Sequence, residues 1–446
     1  MKNSGLNRFL SGKGQSLYKR AKTLIPGGTQ LLSKRPEMFL PDLWPSYYRS
    51  AKGVEVTDLD GNVYVDMSLM GVGACILGYA DPEVDQAVKT AVDNGVMCSL
   101  NAPEEVELAE LLCQLHPWAG MVRYARAGGE AMSMAVRIAR SYTRRDKVAF
   151  CGYHGWMDWY LAANLSENDA LDGHLMPGLA PAGVPRGLRG SAIPFQYNRL
   201  DQLKDIVSTN RDALAAIVME PQRGQIPVAG FLEGVRDIAS DIGAVLIFDE
   251  ITTGFRMTAG GIHLLLGVEP DIAVLAKAMA NGYAMAAVLG REEVMQSAQS
   301  TFISSTNWTE RIGPAAALAT LKKYLALQVE DHIISIGNRV KVGWHDIANQ
   351  AGLRIRTEGL PSLNHFSFRH KDELILSTLF TQLMLEKGYL AFNQFKPSFA
   401  HQPSHVEAYL EAAAECFSVI SDAVRQGNAA TLLKGPPAHR GFYRLA

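Results

Sequence analysis

Five consecutive apolar residues, Ala244–Phe248, stand inside the stretch "GAVLIFDEITTGFR" and constrain the fold more than any other feature. An apolar run without alternation reads as a strand covered on both faces, and such strands belong to parallel sheets packed between helices. Asp249 and Glu250 follow at once, where the strand would leave the sheet. A carboxylate buried there is costly unless it is paired. Two readings of Asp249 stay open on the residues alone: a salt bridge or helix cap, or a partner for the proton on a heteroaromatic nitrogen.

The rest of the chain repeats the alternation. "KVAFC" (147–151) and "LAAIVME" (214–220) are strand-like, whereas "APEEVELAELLCQL" (102–115) and "VRDIASDIG" (235–243) have helical spacing, the last closed by a glycine. Strands separated by helices imply a mostly parallel sheet covered on both sides. "GVEVTDLDGNVYVDM" (53–67) reads as a hairpin around Asp60-Gly61. Beyond about residue 320 the texture shifts to long helical patterns, a strand-rich piece near "SLNHFSF" and a last helix in "HVEAYLEAAAECFSVISDAV". A smaller α+β domain is expected there, after a boundary in 315–335.

With 446 residues the chain suggests two domains, and 48% apolar with 20% charged residues is ordinary globular composition. A net charge of -2 removes the electrostatic case for nucleic acid or an anionic membrane as partner. Five cysteines without CxxC or metal spacing fit reduced thiols, and no metal site is expected. The opening segment has no continuous apolar stretch of the kind a secretory signal needs, and no run approaches the roughly 20 residues of a membrane span. A cytoplasmic protein is expected.

Three further features fall where the alternating pattern puts strand ends, the place where open α/β folds bind ligands. In "RAGGEAMSMAVRIARSY" (126–142), Gly128 and Gly129 precede an amphipathic helix whose first N–H groups could hold a phosphate; the plainer reading is a turn. In "CGYHGWMDWY" (151–160), an aromatic and a histidine could stack on and polarise a flat ring, or merely pack. In "DIAVLAKAMANGY" (271–283), Lys277 ends another apolar run 28 residues after Asp249. Desolvation there would make it a Schiff-base amine. A phosphate cup, a stacking aromatic, a carboxylate for a ring nitrogen and such a lysine together describe the needs of pyridoxal 5′-phosphate (PLP).

These motifs, with "VMEP" and "AKAMANGY", resemble the class III aminotransferases of the fold-type I PLP enzymes, most closely the branch that contains glutamate-1-semialdehyde 2,1-aminomutase. The similarity covers about residues 20 to 425. It implies a seven-stranded, mostly parallel sheet between helices in a large domain of 61–325. It also implies an N-terminal segment, 1–60, shared between the small domain and dimer contacts, and a small α+β domain of 326–446. By the resemblance Lys277 is the lysine that bonds the cofactor and shuttles the proton, and Asp249 is the partner of its ring nitrogen. Tyr153 stacks on the ring, Gly128 and Gly129 bind the phosphate through backbone amides, and Glu220 lies near the ring. Thr306 reaches the phosphate of the neighbouring subunit, since active sites in the family lie at a homodimer interface.

Several positions depart from the family's pattern. Ala127-Gly128-Gly129-Glu130-Ala131 stands for Ser-Gly-Thr-Glu-Ala and loses two hydroxyls. "STNWTERIGPAA" lacks the usual Gly-Asn-Pro, Lys34 replaces an arginine, and Gln225 replaces an asparagine after "EP". The expected function is transfer of an amino group from an amino donor to a small keto or aldehyde acceptor in two half-reactions. The alternative is an isomerase, an aminomutase of the semialdehyde type or a racemase. A non-catalytic protein of the same fold is a third reading, against which Lys277 and Asp249 both stand.

Overall fold

A computed structural model describes residues 12–174, 177–222 and 224–441. The remainder of the N-terminal segment expected at 1–60, residues 1–11, lies outside the described residues. The chain divides into two compact units, one of Pro82–Glu330 and one formed by the residues up to Asp81 and from Asp331 onward.

The smaller unit begins with helix α1 (Lys13–Leu24) and strands β1 (Tyr48–Lys52), β2 (Glu55–Asp58) and β3 (Val63–Asp66). β2 and β3 form the expected antiparallel hairpin, and Gly61 takes the left-handed conformation in its turn. The larger unit contains helices α2 (Pro82–Asp93) and α3 (Glu104–Leu115), then β4 (Met121–Ala125), α4 (Gly128–Thr143) and β5 (Lys147–Cys151). β6 (Ala192–Pro194), α5 (Leu200–Asn210), β7 (Leu214–Met219), α6 (Phe231–Ile242) and β8 (Val245–Asp249) follow. β9 (Ile272–Leu275), β10 (Ala286–Gly290) and α7 (Ile312–Leu327) complete it.

The seven strands β4 to β10 form one sheet in the order β4-β10-β9-β8-β7-β5-β6, in which only β10 runs against its neighbours. Alternate residues of each strand enter opposite cores, as the two-residue period of a strand demands. Val148 and Phe150, Ala216 and Val218, and Val245 and Ile247 pack with α4. Ala149 and Cys151, Ile217 and Met219, and Leu246 and Phe248 pack with α6. Both faces are therefore dry, which is why the run 244–248 shows no alternation. α6 ends at Gly243, whose φ of 65° closes the helix and turns the chain directly into β8.

The smaller unit adds α8 (Val329–Gln350, its first two residues within the larger unit), β11 (Ile355–Glu358), β12 (Asn364–Phe368), α9 (Glu373–Glu386), β13 (Tyr389–Leu390), β14 (Gln394–Phe395) and α10 (Pro403–Gln426). β3 pairs with both β2 and β13, so this strand satisfies its backbone within the smaller unit. Residues 61–81, placed in the large domain by the sequence reading, thus group with the smaller one. Trp344, Phe366, Phe380, Tyr409 and Phe417 fill its core. Among the described residues no helix is long and apolar enough to cross a membrane, and no cluster of His, Cys, Asp or Glu could hold a metal ion.

Candidate active site

The site grows from the register of β8 against β9. These parallel strands pair Asp249 with Val274, so the residues just beyond each strand leave the sheet side by side. Three residues past Asp249 comes Thr252, and three past Val274 comes Lys277. The Lys277 Nζ donates to Thr252 Oγ1 at 2.8 Å. Lys277 itself has a φ of 48°, in the left-handed region that costs a side-chain-bearing residue on the order of 1 kcal/mol. The short helical turn Lys277–Ala280 holds it in that conformation.

Asp249 is 4% exposed. Its Oδ2 lies 2.8 Å from Nδ1 of the buried His154, and its Oδ1 accepts from the Ile251 N–H at 3.1 Å. His154 Nε2 faces the Cys151 carbonyl at 3.1 Å. A carbonyl only accepts, so Nε2 carries a hydrogen. Asp249 is thus hydrogen-bonded to a buried histidine side chain. The two contacts occupy only part of the capacity of a carboxylate, about four lone-pair sites, and leave it able to meet a further cation.

The neighbouring Glu250 is fully buried and does different work. Its carboxylate accepts from the Ile262 and His263 N–H groups, from Thr253 Oγ1 and from His263 Nδ1. Trp118 Nε1 donates to His263 Nε2 at 2.9 Å, which fixes the histidine as the Nδ1–H tautomer. Glu250 thus pins the turn that carries Ile251 and Thr252.

Tyr153 is half open to solvent at 39% exposure, with its ring edge-on to the buried Tyr160. Its N–H donates to Glu220 Oε2 at 3.4 Å, and Tyr160 donates to the Gly152 carbonyl at 3.0 Å. Gly152 has φ +112°, and a Cβ there would stand 3.0 Å from Glu220 Oε2, so only glycine allows the loop to lie this close to the carboxylate. Burial, reinforced by Glu220, pushes the Cys151 thiol up to about 12 and keeps it protonated.

At the start of α4 the N–H groups of Gly128, Gly129 and Glu130 precede the first intrahelical bond, from Ala131 N–H to the Ala127 carbonyl. Glu130 Oε2 reaches back to the Arg126 and Ala127 N–H groups at 3.1 Å each. A Cβ on Gly128 would meet Ile251 Cδ1 at 2.8 Å, which places the side chain of Ile251 against this turn. Arg126 ties the turn to the segment carrying Thr306. Its Nη2 donates to the carbonyls of Trp308 and Glu310 at 2.9 and 2.7 Å, and its Nε lies 2.9 Å from Glu310 Oε1. Trp308 Nε1 adds a 3.4 Å contact to Glu130. Thr306 opens the short helical turn Thr306–Thr309 and is exposed.

The structure therefore brings Lys277 and Asp249 to adjacent strand ends, joins Tyr153 to Glu220, and sets Gly128 and Gly129 at a helix start. Sequence reasoning did not identify His154 as the partner of Asp249, nor Thr252, Glu250 or Arg126 as structural supports. The spacing of Thr252 from Asp249 and of Lys277 from the β9 run carried the signal, but it becomes readable only with the strand register.

Comparison with known proteins agrees with this geometry. Residues 42–407 match the family described as aminotransferase class-III. The chain is 34% identical to a 3-aminobutyryl-CoA aminotransferase of Cloacimonas acidaminovorans, over 90% of this chain and 97% of the relative. It is 33% identical to a glutamate-1-semialdehyde 2,1-aminomutase of Roseiflexus castenholzii, over 93% and 99%. An omega-transaminase from Sphaerobacter thermophilus shares the fold with a TM-score of 0.82 at 26% identity, covering 93% of this chain and 99% of that one. With a match across most of its length and full-length relatives above 30% identity, the chain belongs to the class III aminotransferases and is an enzyme of amino-group transfer.

Proposed function

We propose that the site binds PLP and that Lys277, Asp249, Tyr153, Glu220, Gly128, Gly129 and Thr306 serve it. The observation that carries this reading is the placement of a lysine amine and a buried, histidine-paired carboxylate on adjacent strand ends. The residues fit the cofactor. The start of α4 offers N–H groups and a favourable dipole to a phosphate, and Gly128 leaves no side chain in the way. Tyr153 is partly exposed, and Asp249 retains capacity for the ring nitrogen.

When bound, PLP supplies an electron sink for the charge left on the substrate's α-carbon. The protein supplies the rest. Asp249, oriented by its contact with His154, would meet a protonated ring nitrogen. Lys277 moves the proton between the substrate carbon and the cofactor. The buried support beneath both fixes their geometry before substrate arrives.

The proposed reaction passes an amino group from an amino donor to a keto or aldehyde acceptor. The full-length relative that acts on 3-aminobutyryl-CoA makes a β-amino thioester the first unusual donor to try, beside glutamate and alanine. Membership of the family supports a homodimer, in which the exposed Thr306 would reach the neighbouring subunit's phosphate site. The similarity to an aminomutase across 93% of the chain supports a second reading, an isomerase that keeps its substrate through both half-reactions.

The test is the visible spectrum of the PLP-loaded protein during addition of donors. A band lost with a donor and restored by a keto acid establishes transfer between two substrates. A band that no donor shifts, with amino exchange inside a single substrate, establishes the isomerase. A protein that takes up no PLP overturns the cofactor assignment.

A further inference from the structure

The hydrogen bond between Lys277 Nζ and Thr252 Oγ1 is built with unusual support. On one side, Lys277 is fixed by a left-handed backbone at the first position of a short helical turn. On the other, Thr252 sits in the turn Glu250–Gly254, closed by the Gly254 N–H to the Glu250 carbonyl at 2.8 Å. A Cβ at Gly254 would meet that carbonyl oxygen at 2.8 Å and Leu275 Cδ2 at the same distance, so the turn closes tightly on β9. Glu250 then locks the base of the turn through its fully buried carboxylate. A lysine has four rotatable side-chain bonds, and an untethered amine would sample many positions.

We propose that Thr252 is a positioning residue for Lys277: its hydroxyl is the fixed resting place of the amine whenever that amine carries no bond to the cofactor. The inference rests on the proposed role of Lys277. A proton shuttle must bond to the cofactor, leave it, act on a nearby carbon and return. The hydroxyl keeps the released amine at one point on the Asp249 side of the site, and it accepts a hydrogen from the ammonium form. The threonine holds no proton of the reaction itself, so its part is geometric and electrostatic.

The test uses the cofactor-free protein, and so reads Thr252 separately from activity. The rate at which Lys277 is arylated by trinitrobenzenesulfonate is followed against pH and mapped by mass spectrometry, in wild type, T252V, T252A and T252S. Removing the hydroxyl withdraws an acceptor from the charged amine. The midpoint of reactivity is then expected to fall by about one pH unit in T252V and T252A, with roughly tenfold faster labelling below it. T252S is expected to retain the wild-type profile. A midpoint and rate in both T252V and T252A equal to wild type overturn the proposal, as does a T252S profile that follows T252V. Thermal melts of the four proteins separate a folding defect from the effect, and serine then decides. A parallel PLP titration of wild type keeps the two readings apart. Failure to take up PLP sinks the proposed function, whereas normal uptake with unchanged arylation sinks only the role of Thr252.

Discussion

At the ends of β8 and β9 the site consists of side chains locked by other side chains, whereas at the start of α4 it consists of backbone and is open. Asp249, His154 and Glu250 are buried, and each makes at least two directed contacts. Around Gly128 and Gly129 the polar groups offered are N–H groups of a helix start, beside Trp156 at 69% exposure. The buried half can fix charge and direct a proton, because its groups sit in a low dielectric and cannot reorient. In the proposed cofactor site the open half would hold the phosphate through backbone N–H groups at the helix start. Chemistry and anchoring are thus expected to fail separately when each half is damaged.

The largest effect should follow loss of the amine. Lys277→Ala is expected to lower kcat by three orders of magnitude or more, roughly what loss of a covalent, proton-carrying group costs. PLP affinity through the α4 half should persist in dialysable form. Steady-state kinetics and equilibrium dialysis check the two halves in one protein. A variant that kept its turnover would show that the strand ends do not carry the chemistry.

Asp249→Asn comes next. The amide still accepts from Ile251 but loses its charge toward His154 and toward the ring nitrogen. A drop in kcat of about a hundredfold is expected, with KM and phosphate affinity little changed. The stability cost is also of interest, because removing one partner of a buried pair costs about 3–5 kcal/mol. Urea unfolding of D249N and of the wild type measures it. A loss of affinity for inorganic phosphate in this variant would contradict the separation of the two halves.

How far each half was legible in the sequence follows from the same distinction. Lys277 and Asp249 stood at the ends of apolar runs, and a charged group at a buried strand's mouth is conspicuous in any sequence. The strands themselves were readable because both of their faces are dry. His154 was legible only as a group to stack on or polarise a flat ring, or to pack, since nothing in "CGYHGW" says that β5 and β8 bring it to Asp249, 95 residues away. The proposed phosphate turn could be read only as a Gly-Gly before a helix, because its donors are backbone groups that every residue owns. Arg126 was hidden for another reason: its partners are mostly carbonyls near residue 310, and a carbonyl has no sequence signature. Residues 61–81 went to the wrong side of the boundary because pairing of β3 with β13 joins segments more than 320 residues apart.

Acid should weaken the buried half before the open one. His116 lies under the Glu250 turn, fully buried, accepting the Gly261 N–H at its Nε2. Burial is the main cause that lowers its pKa to about 4, from an ordinary 6.5. The unfolded chain therefore takes up a proton between these values that the folded one refuses. The stabilisation is complete above about pH 6.5 and is lost as pH falls toward 4, on the order of 3 kcal/mol in all. Urea midpoints at pH 7 and pH 5 are expected to differ less in His116→Asn than in wild type. An identical pH dependence in the two proteins would show that this histidine is not the group that titrates.

The smallest effects, and the sharpest contrast, should come from two adjacent glycines. A Cβ on Gly128 would stand 2.8 Å from Ile251 Cδ1 and 3.2 Å from its Cγ2, so alanine there must push the isoleucine aside. Since Ile251 shares its turn with Asp249 and Thr252, that push would move the buried half from the open one. On Gly129 the nearest neighbours of a Cβ are Trp156 Nε1 at 3.7 Å and Met157 at 3.8 Å, ordinary contact distances. Gly129 is also helical, where alanine is favoured over glycine by about 1 kcal/mol. Gly128→Ala is therefore expected to weaken PLP binding several-fold and to lower kcat as well. Gly129→Ala should leave kcat unchanged and raise the melting temperature by a few degrees. Equal losses in both variants would mean that the turn tolerates no side chain anywhere, and that the phosphate occupies the space beside Trp156 as well as the helix axis. Loss of binding in Gly128→Ala with kcat intact would instead show that Ile251 yields without disturbing Asp249, making the two halves more independent than their shared turn suggests.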